Sequence, residues 1–145
     1  MSQNNPFSPP QSDVTEPVDT SDTAIDNLPV SDTWKKRFRF IKKAGGPSMA
    51  NLKTMPKEER KGAFQFNILA FIFGPFYYLA KGMWKKGLSL FIICLSAIIT
   101  IEVILNMVGF PQFGKSLGYG VAAVFALRAN IDYYKKMVLD ENGWW

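Results

Sequence analysis

The fold of this chain is decided by one apolar stretch, residues 88–110, which reads LSLFIICLSAIITIEVILNMVGF. The stretch contains one charged residue, Glu102. In an α-helix its roughly 23 residues would extend about 35 Å, which is long enough to cross the hydrocarbon core of a bilayer. The sequence therefore predicts an all-α membrane protein with a transmembrane helix at 88–110.

Two other apolar segments lie on either side of this helix. The segment 114–130 is predicted to return across the membrane, so that the two helices form a transmembrane hairpin. The segment 64–80 carries no charge, but Gly74-Pro75 divides it, because proline removes a backbone donor and kinks a helix. It is therefore either a kinked third transmembrane helix or a re-entrant hairpin that returns to the side from which it entered.

The distribution of lysine and arginine favours the re-entrant hairpin. Short loops rich in these residues stay on the cytoplasmic side, and residues 81–86 carry three lysines. If 64–80 re-enters, this loop lies in the cytoplasm together with the basic stretch 35–61 and the N-terminus, and Lys115 alone of the basic residues lies outside. If 64–80 crosses fully, the two basic stretches lie on opposite sides of the membrane.

The first 33 residues have a different composition, with six acidic side chains and no Lys or Arg. Their few apolar residues are scattered without a period. Such a chain cannot bury enough apolar surface to offset the entropy lost on ordering. Residues 1–30 are thus predicted to form a disordered acidic tail, and a sharper alternative is that residues 5–10, NPFSPP, act as an extended docking motif.

The segment 31–61 has a positive net charge, because its stretch 35–61 contains ten Lys and Arg against two Glu. Trp34, Phe38 and Ile41 recur at helical spacing and form one narrow apolar stripe. A basic amphipathic helix with such a stripe is typical of the membrane interface. A nucleic-acid surface is the alternative, but the apolar segment that follows favours the membrane. The predicted contacts with lipid headgroups are Lys35, Lys36, Arg39, Lys42 and Lys43.

Small residues form a stripe along the returning helix. They recur at every fourth position, which lets two helix backbones approach closely. The members of the stripe are Gly114, Gly118, Ala122 and Ala126. We expect it to pack within the chain against the outgoing helix, and the alternative is a contact between two copies of the chain. The face that it would meet on the outgoing helix carries Ser89, Ser96 and Thr100.

Glu102 and Asn106 are polar residues one turn apart within the predicted transmembrane helix. A carboxylate at such a position is energetically unfavourable and often functional. One interpretation is a proton or cation site, or a polar contact with a partner helix. The other is a carboxyl group that stays protonated or reaches the outer headgroups, since no second titratable group forms a relay with it. Cys94 is predicted to be a small buried apolar residue, and Arg128 and Asp132 a weak helix-surface pair.

The 145-residue chain also lacks the groups that many enzymes need. It has no His and one Cys, so it cannot use histidine catalysis, form an intramolecular disulfide or build a thiolate zinc site. No Walker-type loop, GxSxG sequence or pair of carboxylates at catalytic spacing occurs. We therefore predict no catalytic, cofactor-binding or metal-binding residues, and no enzymatic activity.

Four short motifs lie within residues 30–137. They are Phe66-Asn67, FGPFYYL at 73–79, KGMW at 81–84 and ANIDY at 129–133. Together they resemble the signature of the bacterial domain-of-unknown-function family 2628, whose members are small inner-membrane proteins. The resemblance implies an inner-membrane location and no known activity, and no catalytic or binding residue is carried over from it.

These predictions divide the chain into a disordered tail (1–30), a basic segment (31–61), a membrane domain (62–137) and a short C-terminal tail (138–145). The functional hypothesis is a multi-pass, non-enzymatic inner-membrane protein with a cytoplasmic N-terminus. It would bind membrane lipids and a protein partner as an accessory or regulatory subunit, and nucleic acid is not an expected partner. The alternatives are a small transporter or channel subunit that uses Glu102 and Asn106, and a phage- or stress-related membrane factor.

Overall fold

The computed structural model describes residues 19–145, and every regular element in that range is helical. This confirms the all-α class predicted from the sequence. Short 3-10 turns occur at Gly46–Ser48 and Pro111–Ser116. The α-helices in chain order are α1 (Asp22–Asp26), α2 (Asp32–Lys43), α3 (Lys57–Ala63), α4 (Ile68–Phe73), α5 (Pro75–Ala80), α6 (Trp84–Met107) and α7 (Leu117–Val138).

The longest helix is α6, whose 24 residues extend about 36 Å. Within residues 19–145 it is the one helix that is both long enough and apolar enough to cross a membrane. It begins four residues before the predicted transmembrane helix at 88–110 and ends three residues earlier, at Met107. The helix stops there because Gly109 adopts a positive φ of 83° and Pro111 follows, neither of which continues an α-helix.

The hydrophobic core lies where the first half of α6 meets α7 from Phe125 onward. Leu90 and Cys94 of α6 pack there with Phe125 and Ala129 of α7. Cys94 is buried, as predicted for it. Between residues 95 and 124 no side chain is buried. The second half of α6 and the first eight residues of α7 therefore present their apolar side chains at the surface.

The segment between residues 67 and 81 is not a straight helix. Gly74 separates α4 from α5 with φ +50° and ψ −122°, a conformation in the left-handed half of backbone space that favours glycine. Asn67 Nδ2 donates a hydrogen bond to the Tyr77 hydroxyl across this break, at 3.0 Å. In a continuous helix those two residues would lie about 15 Å apart along the axis, which is more than the two side chains can span. The chain therefore folds back at Gly74.

Both ends of this folded segment lie beside the second half of α7. At its start, Asn67 Nδ2 donates to Asn130 Oδ1 at 2.9 Å. At its end, the Lys81 carbonyl oxygen accepts a hydrogen bond from Lys136 Nζ at 2.6 Å. Because Asn130 and Lys136 are about 9 Å apart along α7, the segment starts and ends beside the same half of that helix.

The apolar stripe of α2 packs against protein, which corrects its interpretation as a membrane-interface face. Phe38 and Ile41 have no exposed surface. The Phe38 ring lies 5.7 Å from the ring of Tyr133 and 5.8 Å from that of Tyr134, both on α7. Aromatic pairs of this kind bury large apolar areas in favourable edge-on geometry. The periodicity correctly showed that this face is covered, but the cover is α7.

Residues 19–30 also differ from the prediction, because they do not form a disordered tail. Ser21 caps α1 by accepting a hydrogen bond from the Ala24 amide, at 3.1 Å, and Ile25 is fully buried in the core. The expectation of disorder rested on average composition. Composition does not show that a single isoleucine on a short helix packs into the core. Residues 1–18, which include the proposed docking motif at 5–10, lie outside the described residues.

Candidate functional site

Five polar side chains meet where α2, α4, α5 and α7 come together, and the cluster reaches from the core to the surface at Gln65. Three of them are buried, namely Asn130, Tyr77 and Asn67, at 1%, 6% and 7% exposed. A buried amide must find hydrogen-bond partners within the protein, so this cluster fixes how the four helices meet. We call it the polar junction, and its members are Arg37, Gln65, Asn67, Tyr77 and Asn130.

Asn130 of α7 is the centre of the polar junction. Its Oδ1 accepts hydrogen bonds from Asn67 Nδ2 at 2.9 Å and from Arg37 Nη1 at 3.2 Å. Its Nδ2 donates to the Gln65 carbonyl oxygen at 2.5 Å. One side chain on α7 thereby holds both α2 and the chain that leads into α4.

A second buried polar contact joins α5 to α7. Tyr78 donates from its hydroxyl to Asp132 Oδ2 at 2.9 Å, and Asp132 is 2% exposed. Arg128 Nη2 lies 3.5 Å from Asp132 Oδ1. The two residues were predicted to be a weak pair on the helix surface. That prediction is wrong for Asp132, because its carboxylate is buried. Their spacing showed that they share one face of a helix, but it did not show that α5 covers that face.

The C-terminal residues close this end of the molecule. Lys86 of α6 is 3% exposed, and its Nζ donates to the Glu141 carbonyl oxygen at 2.5 Å. The Arg128 guanidinium lies 4.3 Å from the centre of the Trp145 ring, a cation–π distance. Residues 138–145 are thus packed onto the ends of α6 and α7.

Two cations lie near the Trp34 ring, namely Arg37 of the polar junction and Lys81 next to it. The Arg37 guanidinium is 4.5 Å and the Lys81 ammonium 5.2 Å from the ring centre, and Lys81 is also 4.7 Å from the ring of Tyr133. Burial lowers the pKa of Arg37 from its usual value. Burial, with the positive charges of Lys136 and Arg37, also lowers the pKa of Lys81. Positive charge is therefore concentrated here at an electrostatic cost.

Most of the predicted headgroup cations on α2 have an acidic partner at the surface. Lys35 lies 3.9 Å from Asp32 on the same helix, and three more pair with acids of other elements. Lys36 lines a cavity with Arg37. Surface ion pairs are weak and are screened by salt, so these cations can exchange their acidic partners for another anion. The pairs between elements are Lys42–Asp22 (2.7 Å), Lys43–Glu59 (2.6 Å) and Arg39–Asp26.

Glu102 and Asn106 lie on the exposed outer half of α6, away from the polar junction. Asn106 Nδ2 donates to the Glu102 backbone carbonyl at 2.7 Å, so it bonds within its own helix. A Cβ atom added to Gly114 would lie 3.5 Å from Glu102 Cγ, which places the carboxylate beside the connection to α7. Within residues 19–145 no hydrogen bond or ion pair joins the Glu102 carboxylate to another side chain.

The predicted small-residue stripe does not form one covered face, because Gly114 lies in the 3-10 turn before α7 and the rest is covered only toward Ala126. Ala126 is fully buried, Ala122 is half-buried, and a Cβ added to Gly118 would meet nothing within 4 Å. The expected packing against the Ser/Thr face of α6 therefore does not extend to Gly118. The reason is that the buried residues of α6 all lie in its first half. The hydroxyls of Ser89, Ser96 and Thr100 instead donate to carbonyl groups of α6 itself.

The chemistry of the polar junction suits binding. Its groups are amides, a phenol and a guanidinium, which donate hydrogen bonds and positive charge. In the part of the chain that the structure describes, no three His, Cys, Asp or Glu side chains lie close enough to hold a metal ion.

Sequence reasoning did not identify the polar junction as a site. A signal was present, because Asn67 and Asn130 are amides within otherwise apolar segments, and such amides must find partners. The signal was ambiguous, because Asn106 is a third amide of the same kind and remains exposed on α6.

Comparison with known proteins places these residues in one family. The model of a family described as a protein of unknown function, DUF2628, matches residues 19–138. The uncharacterized protein YigF of Salmonella typhimurium is 28% identical over 127 residues, which cover 83% of this chain and 94% of that protein. The uncharacterized protein YigF of Escherichia coli K12 is 30% identical over 123 residues, which cover 79% of this chain and 90% of that protein. No solved structure matches the chain at a significant level.

Proposed function

This chain belongs to the DUF2628 family of proteins of unknown function, and from that premise we propose that it is a small integral protein of the bacterial inner membrane. In this proposal α6 and α7 cross the bilayer as a hairpin, and α4 and α5 dip into the cytoplasmic side and return. The N-terminus and the C-terminus both lie in the cytoplasm. The protein has no enzymatic activity and acts as an accessory or regulatory subunit.

The exposure of α6 is the observation that carries the membrane proposal. Of the most apolar part of this helix only 11% is buried, whereas the core helix of a water-soluble protein would be mostly buried. Ile99 and Val103, for example, are each 54% exposed. A lipid environment solvates such side chains without any protein cover.

The fold of α4 and α5 supports the re-entrant arrangement over a third crossing. Each of these helices has six residues, which is about 9 Å of helix and far less than the roughly 30 Å of a bilayer core. The segment also begins and ends beside the second half of α7. The side chains that it turns outward are apolar, and they are Ile68, Leu69, Ile72, Phe73, Phe76 and Leu79.

The charge distribution supports a cytoplasmic position for α2 and the loop 81–86. Both stretches lie at the same end of the molecule, as the contacts of Lys81 and Arg37 with Trp34 show. Positive residues at the membrane edge favour the cytoplasmic side and anionic lipid. We therefore propose anionic lipid as one partner and a second protein, or a second copy of the chain, as the other.

Cysteine accessibility in intact cells tests the location and the topology together. In a Cys94→Ala background, single cysteines replace Lys57, Lys85 and Gln112, and a membrane-impermeant maleimide is added before and after permeabilisation. We expect Gln112→Cys to react from outside, and Lys57→Cys and Lys85→Cys to react only once the membrane is opened. We also expect the protein to stay in the membrane after alkaline carbonate extraction.

Each part of the proposal has its own contrary result. Release of the protein by carbonate would refute integral membrane insertion. Labelling of Lys85→Cys from outside would leave the membrane location unaffected. It would refute the re-entrant arrangement and show that α4 and α5 cross the bilayer.

A further inference from the structure

Arg37 is unusual because it is half-buried with neutral partners. Its Nε donates to Gln65 Oε1 at 2.9 Å and its Nη1 to Asn130 Oδ1 at 3.2 Å. Within residues 19–145 it pairs with no carboxylate. A guanidinium has five N–H donors, so several are left for a ligand. Since a buried charge normally requires an opposite charge, the position favours an anion.

Lys81 brings a second charge to the same place. It is held beside Trp34 and Tyr133 by cation–π contacts, and within residues 19–145 its ammonium makes no hydrogen bond or ion pair. The charges that act on its pKa, those of Lys136 and Arg37, are positive. Bringing a negative group between Arg37 and Lys81 would relieve this repulsion.

A cavity of about 350 Å³ opens at these two cations. The hydroxyl residues Ser31 and Thr33 line it, together with Asn67 and Tyr77 of the polar junction. A second cavity of about 320 Å³, which Arg37 also lines, adds Lys36 and Lys61 to the positive surroundings.

The rim of the larger cavity is apolar. Phe66, Ile68 and Leu69 line it and are 44%, 65% and 57% exposed. A ligand that combines an anionic head with a hydrocarbon chain therefore fits both parts, since the head would meet the cations and the chain would lie along α4. A small hydrophilic phosphate would leave the apolar rim without a partner.

We propose that the cavity between Arg37 and Lys81 binds the phosphate of an anionic phospholipid. Arg37 presents N–H groups in a planar fork that matches phosphate oxygens, and Lys81 supplies a second positive charge. The hydrogen bonds from Arg37 to Gln65 and Asn130 hold its guanidinium in place before the lipid arrives. The site thus deepens the proposed membrane function, on which it rests, by placing the lipid at one cavity rather than over the whole basic face of α2.

Lipid retention by the purified full-length protein tests this site. The protein in detergent is titrated with phosphatidylglycerol or phosphatidylcholine, and bound lipid is measured by native mass spectrometry. We expect Arg37→Gln and Lys81→Gln each to weaken phosphatidylglycerol binding about tenfold, the loss of one charge-assisted contact. Phosphatidylcholine carries the same phosphate but no net charge, so it should bind the unaltered protein more weakly and lose less affinity in both variants. Lys43→Gln is the matched control, because it removes one exposed charge of the same sign, and it should change binding less than twofold.

The variants and a soluble competitor separate the other outcomes. Lys81→Gln removes no hydrogen bond of the described chain, so it reports on the site even if Arg37→Gln disturbs the polar junction. Equal effects of Lys81→Gln and Lys43→Gln, or unchanged binding in both site variants, would overturn the proposal. Displacement of the lipid by millimolar glycerol 1-phosphate would overturn the assignment to a lipid and indicate a soluble phosphate ligand. Carbonate could release the protein from the membrane while Lys81→Gln still weakens phosphatidylglycerol binding. That pair of results would contradict the membrane proposal and leave the lipid site standing.

Discussion

The two ends of the molecule use the same kinds of side chain in opposite ways. The packed end consists of α1 to α5, residues 84–94 of α6 and residues 125–138 of α7. There Phe38, Tyr78 and Phe125 have no exposed surface, and buried polar groups bond across helices. The apolar end consists of residues 95–124. No side chain is buried there, and the polar side chains of α6 bond to their own backbone.

The difference shows that α6 changes its surroundings midway along its length. Leu90 and Cys94 are buried against other helices. Ile99 and Val103, two to three turns later, are exposed. Protein packing then determines the stability of the packed end, and the surrounding medium determines that of the apolar end. Matched substitutions in the two ends should therefore have different consequences.

The asparagine pair Asn130 and Asn106 gives the largest expected contrast. Asn130→Ala removes the centre of the polar junction, so the buried Asn67 amide and the part-buried Gln65 carbonyl and Arg37 guanidinium each lose a hydrogen bond. We expect a loss of about 3 kcal/mol in the free energy of unfolding, because each buried group left unsatisfied costs about 1–3 kcal/mol. Asn106→Ala removes an exposed side chain that bonds its own helix, and should change stability by less than about 0.5 kcal/mol.

The measurement is reversible unfolding of both variants in mixed detergent micelles, followed by circular dichroism. Equal losses in Asn106→Ala and Asn130→Ala would contradict the division into two ends, since it would mean that Asn106 has a buried partner.

The glycine pair Gly87 and Gly118 should give effects of opposite sign. A Cβ at Gly87 would lie 2.7 Å from Tyr78 Cβ, so Gly87→Ala must push α5 away from α6. We expect a loss of about 1–3 kcal/mol, as for other overpacked cores. Gly118→Ala meets nothing within 4 Å. Because Gly118 lies in the first turn of α7, it should gain up to about 0.5 kcal/mol from helix propensity, less than at a mid-helix position.

Thermal melting of both variants in the same detergent gives the sign directly. A loss of stability in Gly118→Ala that depends on protein concentration would instead show that a second copy of the chain packs at Gly118, which would alter the description of the apolar end.

The sequence predicts the local features of the helices better than the contacts between distant residues. Hydropathy located α6 to within a few residues, and the Gly74-Pro75 pair located the break between α4 and α5. These features depend on local composition and backbone chemistry. Contacts such as Asn67 with Asn130 join residues that are 63 positions apart, and a single sequence does not reveal which distant residues meet.

The stripe of Trp34, Phe38 and Ile41 shows why the remaining errors occurred. An amphipathic pattern establishes that one face of a helix is removed from water, but lipid and protein interiors both satisfy it. Asp132 was misplaced for the same reason, because the helix that covers it lies more than 50 residues earlier. Ile25 was overlooked because a five-residue helix with one apolar side chain has no detectable period.

The smallest expected effect concerns α1, the most weakly attached element of the packed end. Ile25 is buried, but the other ties of α1 to α2 are the exposed pairs Lys42–Asp22 and Arg39–Asp26. The hydrogen bond from Lys42, together with its positive charge, lowers the pKa of Asp22 below its ordinary value of 3.8. A carboxylate whose pKa is lowered by folding stabilises the fold above that ordinary value, and the contribution is lost as the pH falls through the lower, folded value.

A spin label on Thr23→Cys, in a Cys94→Ala background, reports the release of α1. We expect the label to be immobilised at neutral pH and to become mobile below about pH 4, and to do so at higher pH in 1 M salt, which screens the exposed pairs. Asp22→Asn should loosen the label already at neutral pH. Asp32→Asn, which removes a fully exposed acid outside α1, should leave the transition where it is. A label that stays immobilised down to pH 2 would show that the burial of Ile25 is sufficient to hold α1, and α1 would then belong to the packed end as firmly as α2.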